Sequence, residues 1–169
     1  MTKERKNLKV SEIIDFLLIL EEESGVSKIG WFRESAVKIL EEFGTQKDVD
    51  LYITKLLTGE KFVFGLRITS ITGTLLKKSS VQTREHVLSE CIKHKYWNYS
   101  LFLIGLLDRS FTPDELLLLS KGVNFGNDDT EKEQSEFLKH EAKKYGDKFV
   151  IQIKEIIAQQ KESWECDIY

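Results

Sequence analysis

The chain has 169 residues, of which 41% are hydrophobic and 31% are charged, and its formal net charge is −3 at pH 7. This size and balance predict a single globular domain. The polar start, MTKERKNLK, shows no secretory signal, and the two distant cysteines, Cys91 and Cys166, exclude a disulfide framework. We therefore expect a cytoplasmic protein with reduced thiols.

Charge is segregated along the chain. The segments 1–9, 10–60, 61–110 and 111–169 carry net charges of +3, −6, +5 and −5, respectively. A basic middle segment between two acidic ones can steer a charged partner toward the protein. The alternative is that these charges lie on solvated helix faces and compensate one another in three dimensions.

Three helices are predicted in the first 60 residues, and each is followed by a glycine. The first covers residues 11–23, and the second covers residues 27–43 and stops at Gly44. Thr45, followed three residues later by Asp48, resembles a capping box and opens the third helix. Apolar residues recur at helical spacing in all three, which predicts one buried face for each.

Residues 60–78 allow two interpretations. Apolar side chains alternate at positions 62, 64, 66 and 68 as in a strand, while positions 64, 68, 71 and 75 make a helical stripe. We predict a helix, because a lone strand would leave its backbone groups without hydrogen-bond partners.

A helix over residues 81–95 leads into the stretch that organises the fold, YWNYSLFLIGLL, at residues 96–107. This stretch is apolar on every side, and a helix of that kind must be buried on several faces. Its 12 residues are too few to cross a membrane, which takes about 20. We therefore predict the central helix of a core, with the other helices packed around it.

Thr112, Pro113 and Glu115 give the strongest local signal in the sequence. The threonine is a capping residue, the proline fits the first helical position, and the glutamate completes a capping box. A short apolar helix is therefore predicted to begin at this point and to extend to residue 121.

The last 50 residues predict a polar loop and two further helices. The loop covers residues 122–129, after which Thr130 and Glu133 resemble a capping box that begins a helix ending near residue 145. An amphipathic helix follows Gly146. We expect a frayed tail over residues 161–169 and a polar N-terminal arm over residues 1–9.

These elements predict an all-α fold, a single-domain bundle of about eight to nine helices packed as antiparallel hairpins. Helix pairs joined by short turns recur at intervals near 33 residues, over 45–78, 80–110 and 112–145. In this spacing the chain resembles a short HEAT-type α-solenoid. The resemblance implies a scaffold that presents a concave surface to a macromolecule.

The sequence contains no complete motif for catalysis, metal binding or cofactor binding. Cys91 and His94 lie one helical turn apart, but zinc needs about four such ligands and no second pair exists. His140 and Glu141 begin like a zinc-protease motif in which Lys144 replaces the second histidine. No glycine-rich phosphate-binding loop or calcium loop is found. We predict no metal, no cofactor and no catalytic residue, and therefore no enzyme.

Direct nucleic-acid binding is an alternative function for the basic middle segment. Clustered cations beside aromatic side chains would favour it. The residues concerned are Lys77, Lys78, Arg84, Lys93, Lys95 and Arg109, with Tyr96, Trp97 and Tyr99. We predict that these aromatics lie on the buried helix, which makes nucleic acid an unlikely partner. No membrane partner is expected.

Acidic residues at the ends and starts of the first three helices are the predicted partner-binding site. They are Glu21, Glu22, Glu23, Glu41, Glu42, Asp48 and Asp50. Short turns can bring these carboxylates to one edge, where they would attract a basic protein surface. In size, acidity and lack of catalytic motifs the chain resembles small bacterial immunity proteins that guard against nuclease toxins.

We therefore predict a protein-binding module, specifically a small cytoplasmic immunity or inhibitor protein that neutralises a basic toxin domain, such as a nuclease, through its charged surface. The alternatives are a helical adaptor, a nucleic-acid-binding regulator and, less favoured, an enzyme whose site the sequence does not disclose.

Overall fold

The computed structural model describes residues 9–24, 29–58 and 64–168, and these residues form ten α-helices and one 3₁₀ turn. In chain order the helices are α1 (Val10–Ser24), α2 (Ile29–Phe43), α3 (Gln46–Thr58), α4 (Phe64–Ile68), α5 (Gly73–Lys78), α6 (Val81–Lys93), α7 (Trp97–Leu107), α8 (Pro113–Ser120), α9 (Asp128–Ala142) and α10 (Asp147–Ile168). The 3₁₀ turn, Lys143–Tyr145, lies between α9 and α10. The predicted all-α fold is confirmed, since the described ranges contain no strand. Of the predicted polar arm, residues 1–9, all but Lys9 lie outside them.

Two compact units make up the chain, Met1–Val87 and Leu88–Tyr169, and the boundary between them falls within α6. The prediction of a single domain stays a prediction. None of the helices in the described ranges combines the length and apolarity that crossing a membrane requires.

The N-terminal unit has a core built from α2, α3 and α5, together with Ile68 at the end of α4 and Ile71 in the turn before α5. Its fully buried apolar side chains include Leu40, Val49, Tyr52, Ile53, Ile68, Ile71, Leu75 and Leu76. In α3, Tyr52 and Ile53 follow Val49 by three and four residues, which is the pattern that predicted a buried face there.

The turn between α2 and α3 contains the terminating glycine and the capping box that the sequence predicts. A Cβ atom on Gly44 would lie 2.7 Å from the Leu40 carbonyl oxygen, so only glycine fits at the end of α2. The backbone N–H of Thr45 donates to Asp48 Oδ2 at 2.9 Å, and the N–H of Asp48 donates to Thr45 Oγ1 at 3.3 Å. The predicted capping box at α3 is confirmed.

The segment predicted as one helix over residues 60–78 contains two short helices, α4 and α5. Thr72 is extended, and its hydroxyl accepts the N–H of Leu75 at 3.2 Å. In a continuous helix that N–H would bond the carbonyl of Ile71. The prediction of a helix over a strand is therefore correct for residues 64–68 and 73–78, but the helix is interrupted by its own threonine cap.

The prediction that α7 is buried on several faces is wrong. Trp97, Ser100 and Leu103 are its buried residues, whereas Leu101 and Phe102 are 40% and 42% exposed. These positions place the buried and exposed residues on different sides of the helix. An apolar helix surface can be read from sequence, but which side receives a neighbour is decided by tertiary packing.

The start of α8 is held by the predicted capping box. Thr112 and Glu115 exchange both capping hydrogen bonds, at 2.8 and 3.3 Å. The Arg109 guanidinium also donates to both oxygens of Glu115, at 2.9 and 2.8 Å. Burial raises the pKa of Glu115, but these hydrogen bonds and the charge of Arg109 outweigh it and hold the pKa below its ordinary value.

α9 begins earlier than its sequence predicted. Asn127, not Thr130, is the capping residue, and its side-chain oxygen accepts the N–H of Thr130 at 2.9 Å. Thr130 therefore lies inside the first turn. The asparagine also ends the predicted loop at residue 127 rather than 129.

The prediction of a frayed tail from residue 161 was wrong, since α10 continues to Ile168. Lys161 Nζ donates to both carboxylate oxygens of Glu131 at 2.9 and 3.1 Å, and this hydrogen bond raises the pKa of Lys161. The Trp164 ring lies 6.3 Å from that of Phe125. These contacts with α9 and with the loop before it hold a segment that has no apolar periodicity of its own.

Candidate functional site

An open groove of about 720 Å³ lies in the C-terminal unit, and we call it the α7–α9 groove. Lys95, Tyr96, Trp97, Asn98, Tyr99 and Leu101 line it from the turn before α7 and from α7 itself. Thr130, Glu133, Gln134 and Phe137 line it from α9, and Gly122 and Asn124 from the loop between α8 and α9. Its volume falls within the range of about 300–1,000 Å³ that is common for ligand sites.

Trp97 joins the two sides of this groove. Its indole Nε1–H donates to the Gly122 carbonyl oxygen at 3.0 Å, and its ring meets the edge of Phe137 with centroids 6.2 Å apart. Phe137 in turn lies edge-on to Phe111 at 6.0 Å. Since Trp97 and Phe111 are buried, this row of rings links the groove to the core of the unit.

Lys95 occupies a backbone conformation that is unfavourable for a lysine. Its φ angle is +63°, in the left-handed region where a side chain costs roughly 1–2 kcal/mol. Its stem lies against Gly122, where a Cβ atom would be 2.8 Å from Lys95 Cγ. The missing side chain of Gly122 is therefore what allows Lys95 to lie at this edge of the groove.

The loop between α8 and α9 is fixed by its own amides. The N–H of Gly126 donates to Asn124 Oδ1 at 2.9 Å, and the N–H of Asn124 donates to Gln134 Oε1 at 2.8 Å. Gln134 thus ties the loop to α9. The groove is consequently lined by a loop whose conformation is fixed by hydrogen bonds. The sequence predicted this segment only as a polar loop.

Two ionisable side chains at or near the groove are Tyr99, which lines it, and its neighbour Cys91. Burial raises the pKa of Cys91 to about 12, with a further contribution from the charge of Glu90, so this thiol is no nucleophile at neutral pH. Burial also raises the pKa of Tyr99, and the neighbouring Cys91 adds to that effect. Across the described ranges, no three His, Cys, Asp or Glu side chains are grouped to hold a metal ion.

The exposed side of α7 continues the groove outward. Asn98, Leu101, Phe102 and Gly105 share one helix face, and all four are exposed. We call this the α7 outer face. Leu101 belongs both to the groove and to this face, so the apolar surface extends beyond the groove.

Exposed carboxylates lie on the groove side of α9. Asp129 and Glu136 stand one turn before and one turn after Glu133, all three are exposed, and we call them the acidic rim. Glu133 itself lines the groove. Lys132 is the exposed lysine of the same helix, so the exposed charge of α9 is predominantly negative.

Three of the seven acidic residues predicted as the partner-binding site have hydrogen-bond partners within the N-terminal unit. Glu41 Oε1 accepts the hydroxyl of Thr72 at 2.7 Å, Asp48 caps α3, and Asp50 Oδ1 accepts the N–H of Ser80 at 2.8 Å. The hydrogen bonds from Thr45 hold the pKa of Asp48 below its ordinary value. Glu42 is exposed. Glu21, Glu22 and Glu23 belong to α1, but the structure does not describe their side chains.

Several cations proposed for nucleic-acid binding also have partners within their own unit. Lys78 Nζ donates to the carbonyls of Leu40 and Glu41 at the end of α2, at 3.1 and 3.4 Å. Arg109 pairs with Glu115, and Lys93 lies 3.6 Å from Glu90. Tyr96 and Tyr99 line the groove and are half-buried, so the prediction that the aromatics lie on a buried helix is correct for Trp97 alone.

The sequence missed the groove because its residues come from three separate segments. The one available signal was the aromatic cluster at the start of α7, which stands beside an apolar run with no polar face. Comparison of the chain with protein-family models, with curated proteins and with solved structures gave no match.

Proposed function

We propose that this chain is a protein-binding module without catalytic activity, and that its partner docks in the α7–α9 groove and on the α7 outer face. The observation that carries the proposal is the continuity of the two surfaces through Leu101. Exposed apolar surface of this kind, bordered by polar and charged side chains, is typical of interaction sites.

The aromatic content of the groove supports the same proposal. Tyrosine and tryptophan are enriched at interfaces because they combine a large apolar body with a polar tip. Tyr96 and Tyr99 supply such side chains, and Asn98 and Asn124 supply amides at the edge. A protein surface can satisfy both groups at once.

More specifically, we propose that the chain is a cytoplasmic inhibitor of the immunity type that neutralises a basic toxin. It is supported by the net charge of −3 and by the acidic rim beside the groove. Opposite charges on two proteins raise their rate of encounter and disfavour wrong partners. The seven acidic residues predicted from the sequence are proposed as a second contributor to this attraction.

Site-specific photo-crosslinking tests the docking site. A photoreactive amino acid replaces Leu101 in one variant and Ile151, an exposed residue of α10, in the matched control. We expect irradiation in the native host to join one partner to the chain through position 101 and none through position 151. Equal labelling of that protein from both positions would contradict the proposal.

Direct binding to the purified partner completes the test. Replacing Leu101 and Phe102 together by alanine should weaken the complex at least tenfold, while Ile151→Ala leaves it unchanged. If that partner is a toxin, the wild-type chain should also restore growth to cells that express it. Binding without growth rescue would remove the inhibitor proposal and leave the binding module in place.

A further inference from the structure

We infer that the segment docking in the α7–α9 groove is an amphipathic helix with apolar anchors and a basic edge. This inference rests on the proposed function, because it describes the partner of the same site. The occupant is a helix of another protein. Two independent features support this: the shape of the α7 outer face and the charge of the acidic rim.

The shape of the α7 outer face suits a second helix. Leu101 and Phe102 project from consecutive positions, and Gly105 follows one turn later on the same side. A Cβ atom placed on Gly105 would meet nothing within 4 Å. Gly105 therefore forms a notch beside two large side chains, and ridges of another helix pack into such depressions.

An amphipathic helix can also fill the groove itself. Its apolar residues, spaced at i, i+3, i+4 and i+7, form a single row that can enter a groove while the opposite face stays in water. At Leu101 the groove meets the α7 outer face, so one row of anchors can contact both surfaces.

The charge of the partner helix follows from the acidic rim. Asp129 lies in the first turn of α9, where a carboxylate also stabilises the helix end. Glu133 and Glu136 lie beyond that turn, so this explanation does not extend to them. They stand one turn apart on one exposed face, where lysine or arginine side chains flanking an apolar row can reach them. Lys95 in the groove and Lys132 on α9 offset part of this charge.

Designed peptides provide the probe. The first is an 18-residue helical peptide with leucine and phenylalanine along one face and lysine along both flanks, labelled with fluorescein. The second carries glutamate at each lysine position, and the third carries two central prolines that prevent helix formation. Fluorescence anisotropy with the 169-residue chain measures each dissociation constant at low and at high salt.

We expect the basic helical peptide to bind at least tenfold more tightly than either of the other two. Its affinity should fall at least fivefold between 50 and 500 mM NaCl, because exposed charges are screened. Gly105→Arg should reduce binding at least tenfold by filling the notch, whereas Gln159→Arg, the same gain of charge on the exposed surface of α10, should not. Replacing Glu133 and Glu136 by glutamine should remove most of the salt dependence.

Equal binding of the proline-containing peptide would overturn the helix assignment, and equal binding of the acidic peptide would overturn the basic one. Unchanged binding to Gly105→Arg would place the peptide elsewhere and would also overturn the inference. These results are separable from failure of the proposed function, since crosslinking through position 101 does not depend on the shape or charge of the partner segment.

Discussion

Trp97 donates its indole N–H to the carbonyl of Gly122 at 3.0 Å and thereby joins the start of α7 to the loop between α8 and α9. Both residues line the α7–α9 groove, so this single bond helps to set the distance between its two sides. The Trp97 side chain is buried and Gly122 is half-buried, so water has limited access to the bond.

Replacing Trp97 by phenylalanine should lower the free energy of unfolding by about 1–3 kcal/mol. The substitution removes the donor for the Gly122 carbonyl and leaves a small void beside Phe137. Urea denaturation followed by circular dichroism measures the change. Trp31→Phe is the matched control, because Trp31 is 74% exposed and should alter stability by no more than about 0.5 kcal/mol. An equal effect of the two substitutions would contradict this role for the bond.

Gly122→Ala should destabilise the protein by about 1–3 kcal/mol, because the added methyl group collides with the stem of Lys95. Lys95→Gly should offset this loss, since it removes the obstructing side chain and suits the positive φ at that position. The double variant should therefore be more stable than Gly122→Ala alone. A double-mutant cycle from urea denaturation should give a coupling of at least about 1 kcal/mol, and simple additivity would exclude the contact.

Local signals in the sequence predicted local structure well. The capping pairs Thr45 with Asp48 and Thr112 with Glu115 fixed the starts of α3 and α8, and Gly44 ended α2. Each depends on atoms within four residues of one another, so a pattern in the sequence contains all the partners. The all-α fold followed from such signals and from helical spacing of apolar residues.

Tertiary partners explain what the sequence did not predict. α7 was expected to be buried all round, yet Phe102 is exposed, because hydrophobicity does not disclose which faces receive neighbours. The helical tail depends on Glu131, which lies 30 residues away from Lys161. Likewise, the hydrogen bond from the N–H of Ser80 to Asp50 joins residues 30 positions apart, which no local pattern discloses.

Acid should weaken the contribution of Glu115 to stability. Its pKa is lowered in the folded protein, so its carboxylate stabilises the fold above the ordinary value of 4.5, and that contribution is lost as the pH falls through the lower folded value. Glu115→Gln should therefore be less stable than the wild type at pH 7, and the difference should shrink between pH 5 and pH 3. Urea unfolding at pH 7, 5, 4 and 3 measures it. A difference that is constant across these values would contradict the linkage, and Glu42→Gln, at an exposed position, should show little difference at any pH.

Two glycines with open surroundings should respond oppositely to alanine. No atom lies within 4 Å of a Cβ placed on either Gly105 or Gly146. Gly105 is inside α7, where alanine is favoured by about 1 kcal/mol, so Gly105→Ala should stabilise the protein by about that amount. Gly146 has a φ of +96°, so Gly146→Ala should destabilise it by at least about 1 kcal/mol. Thermal and urea denaturation compare the two, and stabilisation by both would show that backbone conformation at Gly146 carries no constraint.

The two cysteines should differ greatly in reactivity. Cys166 is exposed on α10, whereas Cys91 is fully buried and its pKa is about 12. Roughly one Cys91 thiol in 10,000 would be ionised at pH 8 even if reagent could reach it. The native chain should therefore release one equivalent of thionitrobenzoate rapidly from Ellman's reagent and a second only on unfolding in urea. Cys166→Ser should abolish the rapid phase and leave the slow one. A rapid phase that persists in that variant would mean that α6 opens readily at Cys91, and the core assignment of this residue would then be wrong.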